Sequence, residues 1–195
     1  MITKRKLWEI LKTNPIIAAV KDEQGLSRAL ASDNKIVFVL YADILNLDEI
    51  IERILKSGKI PFVHIDMVTG LATNPMSIKY ISKNHGRNCG IITTKGNLVK
   101  EAVDLGIAVI QRLFVIDSLS IENNVKSIKR MKPDAIEIMP GVIPKVIKKI
   151  QNEVPNTPII AGGLIETEEE VIDILNHGGM AISTTRENLW KVKGK

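Results

Sequence analysis

Short aliphatic runs alternate with charged, helix-patterned segments from one end of the chain to the other. Eight runs read as strands: Ile16–Lys21, Lys35–Ala42, Ile60–Met67, Asn88–Thr94, Ile107–Val115, Ala135–Met139, Pro158–Ala161 and Met180–Thr184. Most are apolar at consecutive positions rather than at every second one. A strand has this pattern when both faces are covered, as in a parallel sheet with helices packed outside it. The segments between follow the helical period. In Leu47–Ser57, Leu47, Ile50, Ile51, Ile54 and Leu55 make one apolar stripe. In Val142–Glu153, Val142, Val146, Ile147 and Ile150 face one way, and Lys145, Lys148 and Lys149 the other. Helix stop signals recur before the next strand, at Ser57-Gly58, His85-Gly86, Leu105-Gly106 and His177-Gly178-Gly179.

Alternating βα units close into a barrel or spread into an open doubly wound sheet. Eight units predict a TIM-like (β/α)8 barrel, one domain over residues 1–195. The open sheet of the dinucleotide-binding type needs a glycine-rich turn after its first strand, and Lys21-Asp22-Glu23-Gln24-Gly25 offers one glycine. Barrels of this kind usually run to about 200 residues or more, so 195 residues leave short βα loops and little material for a lid.

Composition narrows the setting. Apolar residues make up 45%, charged residues 25% and aromatic residues 4%, so aliphatic side chains fill the core. Cys89 is the single cysteine, which rules out an intrachain disulfide framework and fits a cytoplasmic protein. The opening Met1–Trp8 is basic, and Glu9 and Lys12 follow it rather than an apolar run, so a secretory signal is not expected. No apolar stretch reaches the roughly 18 residues of a membrane span. The formal charge of +5 permits an anionic ligand or a nucleic acid and demands neither.

Ligands of such barrels bind at the C-terminal ends of the strands, and phosphates often sit at the loops after strands seven and eight. The seventh strand runs into Ala161-Gly162-Gly163-Leu164-Ile165, where paired glycines let backbone N–H groups approach an anion. The eighth ends in Ser183-Thr184-Thr185, followed by Arg186–Trp190 as a plausible short helix. Gly162, Gly163, Ser183, Thr184 and Thr185 are therefore the expected phosphate site. Tight turns and helix caps would explain the same residues without a ligand. Glu166 opposes an anion unless it points away.

Other strand ends are polar. Lys21, His64, Asp66, Thr94, Lys95, Arg112 and Glu137 make up an expected polar mouth. His64 and Asp66, two apart on a strand, should share a face. Of Gln111 and Arg112, one should enter the barrel and one face a helix, and Arg112 needs an anionic partner in Glu137 or Asp66. Three readings stay open. The mouth orients the hydroxyls of a small phosphorylated polyol; it holds acid–base groups or a metal; or it is a satisfied network of ion pairs. The other histidines, His85 and His177, precede glycines at helix ends, and Cys89 reads as core. No nucleophile–base arrangement follows from the spacing, and neither a metal, a cofactor nor a catalytic residue is assigned.

Several blocks stand in order along the chain: Ile16–Asp22, Phe62–Asp66, Gly90–Lys95, Ile110-Gln111-Arg112-Leu113-Phe114, Met139-Pro140-Gly141-Val142-Ile143-Pro144 and Ala161–Ile165. Together they resemble the glycerol-uptake operon antiterminator family over nearly the whole length. The resemblance implies a TIM-like barrel that is not an enzyme, senses glycerol 3-phosphate and acts on leader mRNA to prevent transcription termination. The runner-up is a phosphosugar or phosphopolyol enzyme of the epimerase or glycerophosphodiester phosphodiesterase type, because barrels host many chemistries. After the eighth strand the family pattern is nearer Thr-Ser-Asn, where this chain has Thr184-Thr185-Arg186.

Basic residues cluster at Lys4–Lys6, at Lys126, Lys129, Arg130 and Lys132, at Lys145, Lys148 and Lys149, and at Lys191, Lys193 and Lys195. Lys129, Arg130, Lys148 and Lys149 are the expected RNA contacts, although solvated helix faces look the same. With two tryptophans, two tyrosines and three phenylalanines, no base-stacking platform stands out, so RNA contact would lean on phosphates. A homodimer would present two basic faces and gain avidity.

Overall fold

The computed structural model describes residues 1–192. Eight parallel strands close a barrel: β1 (Ile16–Val20), β2 (Ile36–Val39), β3 (Ile60–His64), β4 (Gly90–Thr93), β5 (Val109–Phe114), β6 (Ala135–Met139), β7 (Ile159–Gly162) and β8 (Ala181–Thr184). Each pairs with its neighbours in sequence, and β8 returns to β1 through Ile16 opposite Ile182. Seven helices follow the first seven strands: α2 (Glu23–Ala31), α3 (Leu47–Lys56), α4 (Pro75–His85), α5 (Gly96–Leu105), α6 (Ser118–Met131), α7 (Pro144–Glu153) and α8 (Glu168–Asn176). A short 3-10 turn, Glu187–Lys191, stands where an eighth outer helix would be. Trp190 holds it in place: its Nε1 donates to the Thr184 carbonyl at 2.9 Å, and its own carbonyl accepts from Asn34.

The expected barrel is the observed one, and each strand feeds two cores because it is covered on both sides. Outward residues such as Val37, Val63, Ile91, Val109 and Ile136 pack under the helices. Inward residues such as Ile17, Phe38, Phe62, Ile110 and Ile160 fill the barrel. Gly90 makes room for that filling, since a Cβ there would lie 2.2 Å from the Phe62 ring.

The structure differs from the pattern in three places. A helix, α1 (Lys4–Thr13), precedes β1 and plugs the N-terminal end of the barrel with Leu7 and Leu11, both fully buried in the inner core. Its first turn is Lys4-Arg5-Lys6, cations at the positive end of the helix dipole, which hid it from a reading based on start signals. The strands are also shorter than their apolar runs. The third ends at His64, and Ile65–Met67 forms a 3-10 turn. The chain then makes a two-stranded parallel patch, Ala42–Asp43 with Val68–Thr69, above the barrel. Finally, α7 begins at Pro144 rather than at Val142, after a cis Met139–Pro140 bond. Among the described residues no helix is long and apolar enough to cross a membrane.

Candidate functional site

Inward alternation carries a polar layer to the C-terminal end of the barrel. Two residues beyond Phe62, Ile110, Ala135, Ile160 and Ala181 stand His64, Arg112, Glu137, Gly162 and Ser183, all on the inner face. Arg112 and Glu137 are direct neighbours across β5 and β6. The Arg112 Nε donates to Glu137 Oε2 at 2.5 Å, and the Ser183 hydroxyl donates to Glu137 Oε1. Both partners of the ion pair are buried, so each charge is matched where water is largely excluded. Gln111 faces the other way and donates to Ser127 on α6. The expected split of Gln111 and Arg112 between the two faces is thus met, and Glu137 is the partner.

Gly162 is required by this network: a Cβ there would lie 2.6 Å from Ser183 Oγ and 2.8 Å from Glu137 Oε1. Gly163 follows at φ +75° and Leu164 at φ +61°, so the loop turns sharply out of the strand. Above the network lies a cavity of about 260 Å³. Its polar lining is Arg112, Glu137, Ser183, Thr184, Thr185 and the turn at Gly163, and Arg186 and Glu166 close one side. These last two form an ion pair with each other across the β7 and β8 loops. The Glu166 carboxylate therefore faces a guanidinium, which answers its apparent opposition to an anion. Glu166 and Arg186 line the cavity although neither is among the expected phosphate-site residues, and their pairing is not foreseen from the strand ends. The loop positions gave a hint, since each follows its anion-binding segment directly.

The expected site divides. Gly162, Gly163, Ser183, Thr184, Thr185, Arg112 and Glu137 come together. His64 sits in the same inner layer, 4% exposed, with its Nδ1 buried and unpartnered. Burial and then the Arg112 charge lower its pKa to about 4, so it is neutral at neutral pH. Lys21, Thr94 and Lys95 are exposed and do not line the cavity. Asp66 does not share a face with His64, because the strand ends between them. Its carboxylate instead accepts from Thr93 Oγ1 at 2.6 Å and from the Thr94 N–H and hydroxyl, each at 2.8 Å. It ties the β3 and β4 loops and is spent there. Hence His64, Asp66 and Glu137 do not converge, and among the described residues no three His, Cys, Asp or Glu side chains form a metal-holding group.

The other histidines and the cysteine are structural. His85 Nε2 meets Asp48 at 2.6 Å, His177 bonds back to Asp173, and Cys89 is fully buried, which pushes its thiol pKa up. Of the expected RNA contacts, Lys129 and Arg130 are exposed in the last turn of α6, at the end of the barrel away from the cavity, and Lys148 and Lys149 are exposed at the middle of α7. Lys129 is paired with Glu153 at 2.9 Å, and Lys148 lies 3.3 Å from Gln151 Oε1. Lys193 and Lys195 lie outside the described residues.

Known proteins match this chain along most of its length. The uncharacterized protein YgcP of Escherichia coli (strain K12) is 37% identical over 189 residues, 97% of this chain and 98% of that protein. The crystal structure of a glycerol uptake operon antiterminator regulatory protein from Listeria monocytogenes superposes with a TM-score of 0.85 at 32% identity, covering 90% of this chain and 94% of that one. A glycerol uptake operon antiterminator-related protein from Thermotoga maritima gives a TM-score of 0.81 at 36% identity, covering 92% and 99%. Aldolases at or below 13% identity share the barrel, a likeness of fold alone. The glycerol-3-phosphate responsive antiterminator family matches residues 16–190, and this chain belongs to it.

Proposed function

We propose that the chain is a cytoplasmic regulator, not an enzyme, that binds glycerol 3-phosphate in the β7–β8 mouth and acts on the leader mRNA of glycerol-utilisation operons. The observation that carries this reading is the small cavity with Gly163, Ser183, Thr184 and Thr185 around it, in a chain of this family. The phosphate sits against the Gly163 turn and the Thr184–Thr185 segment, beside the Arg186 guanidinium that stays paired with Glu166. The glycerol hydroxyls meet the Arg112–Glu137–Ser183 layer. Lys129, Arg130, Lys148 and Lys149 contribute phosphate contacts to RNA along the outer faces of α6 and α7. The whole chain works as one barrel unit.

The enzyme alternative loses its supports. Glu137 accepts from Arg112 and Ser183, and Asp66 from Thr93 and Thr94, so both carboxylates hold protein groups together, and the carboxylate–histidine cluster that an enzyme reading needs is not assembled. A homodimer belongs to the same reading. Leu45, Met67, Phe114, Ile116, Leu119 and Leu164 stand exposed around the mouth, an apolar rim that a second copy would cover. Sedimentation at micromolar concentration checks this, and a monomer there removes the dimer from the proposal.

The test of the ligand is thermal unfolding with glycerol 3-phosphate, glycerol or inorganic phosphate. At about 100 times its dissociation constant, a ligand bound only to the folded state adds about 2.7 kcal/mol. Glycerol 3-phosphate should raise the melting temperature well above the other two. Equal responses to all three, or none, would reject the site.

A further inference from the structure

The end of the barrel opposite the mouth holds two adjoining cavities, of about 270 and 350 Å³. Lys4 and Lys132 line both, so the two form one groove. Arg87 lines one part and Lys129 the other. Lys4, Arg87 and Lys132 are exposed, and none of the three has an ion-pair partner among the described residues. The two acids in the lining are engaged. Burial pushes the Asp134 pKa up, although its carboxylate accepts the Val109 N–H at 2.9 Å and feels the Lys4 charge, and Glu153 holds Lys129.

Cations at this end of a (β/α) barrel are partly explained by the outer helices, whose C-termini favour positive charge. That explanation covers Lys132, the C-cap of α6, and Arg87, which lies beside the C-terminal ends of α4 and α5, but it does not cover Lys4. Lys4, with Arg5 and Lys6, stands in the first turn of α1, where the helix dipole disfavours a cation and no acid is present. Lys132 follows α6 in the left-handed region, at φ +53°, a position that usually takes glycine. Arg87 lies over Gly106, where a Cβ would come within 2.7 Å of its guanidinium. The placement is also fixed by backbone, since the Ile2 N–H donates to the Arg87 carbonyl at 2.8 Å and joins the start of α1 to the Arg87 turn. Three cations held on three different segments, two of them at locally unfavourable positions, face one groove. Local rules broken together at one place mark a site kept for binding rather than stability.

We propose that this groove, running between the start of α1, the Arg87 turn and the end of α6, grips the phosphodiester backbone of RNA. The inference rests on the antiterminator reading and gives it a binding surface. The groove has aliphatic walls and a basic rim, without an aromatic platform in its lining, so it recognises phosphate spacing rather than bases. It continues past Lys129 toward the exposed face of α6 that bears Arg130.

The experiment uses the full chain and a fluorescein-labelled pool of random-sequence 40-nucleotide RNA, with affinity measured from low to physiological salt. Wild type should bind with a steep salt dependence. The surface pair Lys4→Glu/Lys132→Glu should weaken binding at least tenfold, and Lys4→Ala/Lys132→Ala should flatten the log–log salt slope by about 1.4, the loss of two single-strand phosphate contacts. Lys100→Glu, on α5, should bind as wild type does. Circular dichroism and the response to glycerol 3-phosphate confirm that each variant is folded. If wild type binds the pool and both groove pairs bind it equally well with the same slope, the groove is not the RNA surface, and the antiterminator reading stands. If wild type binds neither the pool nor structured hairpin RNA at low salt, that reading falls and the groove proposal with it.

Discussion

Gly163 joins a backbone need to a chemical one. Its φ of +75° suits glycine, and aspartate and asparagine are among the side chains that best tolerate that region. Gly163→Asp should therefore fold, put a carboxylate at the cavity wall and abolish stabilisation by glycerol 3-phosphate. Gly163→Asn should lose much less. Melting curves of the two with saturating ligand separate charge from shape, and equal responses would mean that the anion binds elsewhere. His64 gives a second measurement. Its pKa is about 4 in the fold against an unfolded value near 6.5, so the unfolded chain binds the proton more readily. The contribution is whole above pH 6.5 and declines as pH falls toward 4, by at most about 3.4 kcal/mol. His64→Gln should show a shallower loss of stability over that window in denaturant titrations. These residues were legible unevenly. Arg112 announced itself as a charge inside an apolar run. The Arg186–Glu166 pair did not, because two loops distant in sequence meet only when β7 and β8 lie side by side.

At the scale of elements, consecutive apolar positions foretold all eight barrel strands, since a strand covered on both sides has no polar face to hide. The same feature blurred their ends. Apolar runs continue past the last ladder bond, and so Asp66 was assigned to a strand that stops at His64. Helix α1 escaped because its buried stripe is narrow and its first turn is basic. The closing 3-10 turn offers a direct probe of the site. Trp190 donates to the carbonyl of Thr184, whose side chain lines the cavity, while Trp8 lies on α1 at the other end. In Trp8→Phe the remaining indole reports on β8 alone, since the chain has two tryptophans. Glycerol 3-phosphate should shift its emission with a saturable dependence matching the thermal response. Unchanged emission under saturating ligand would place the ligand away from the β8 loop.

The molecule as a whole is polarised. Helix starts beside the mouth carry acids, among them Glu23, Asp48, Glu49 and Glu168–Glu170, while the opposite end carries the basic groove and the exposed cations of α6. A small phosphate ester and an RNA would thus occupy opposite ends of one barrel. For the first to control the second, the two must favour the same one of two protein states, and the effect must then be reciprocal. The β5–β6 pair is placed to carry the link. Arg112 and Glu137 stand at its mouth end, and it runs into α6, whose far end bears Lys129 and Arg130, and α7, which bears Lys148 and Lys149 at its middle. This is a spatial argument, and coupling has to be measured to support it. A coupling of about 1–3 kcal/mol corresponds to roughly 5–150-fold in affinity. Titrating leader RNA against the protein with and without saturating glycerol 3-phosphate, at several salt concentrations, measures it. The ligand should tighten RNA binding by a factor in that range while leaving the salt slope nearly unchanged, because it shifts the population of the binding state rather than adding phosphate contacts. Equal RNA affinity with and without ligand, at a salt concentration where binding is readily measured, would separate the two ends and leave an anion-binding barrel without a switch.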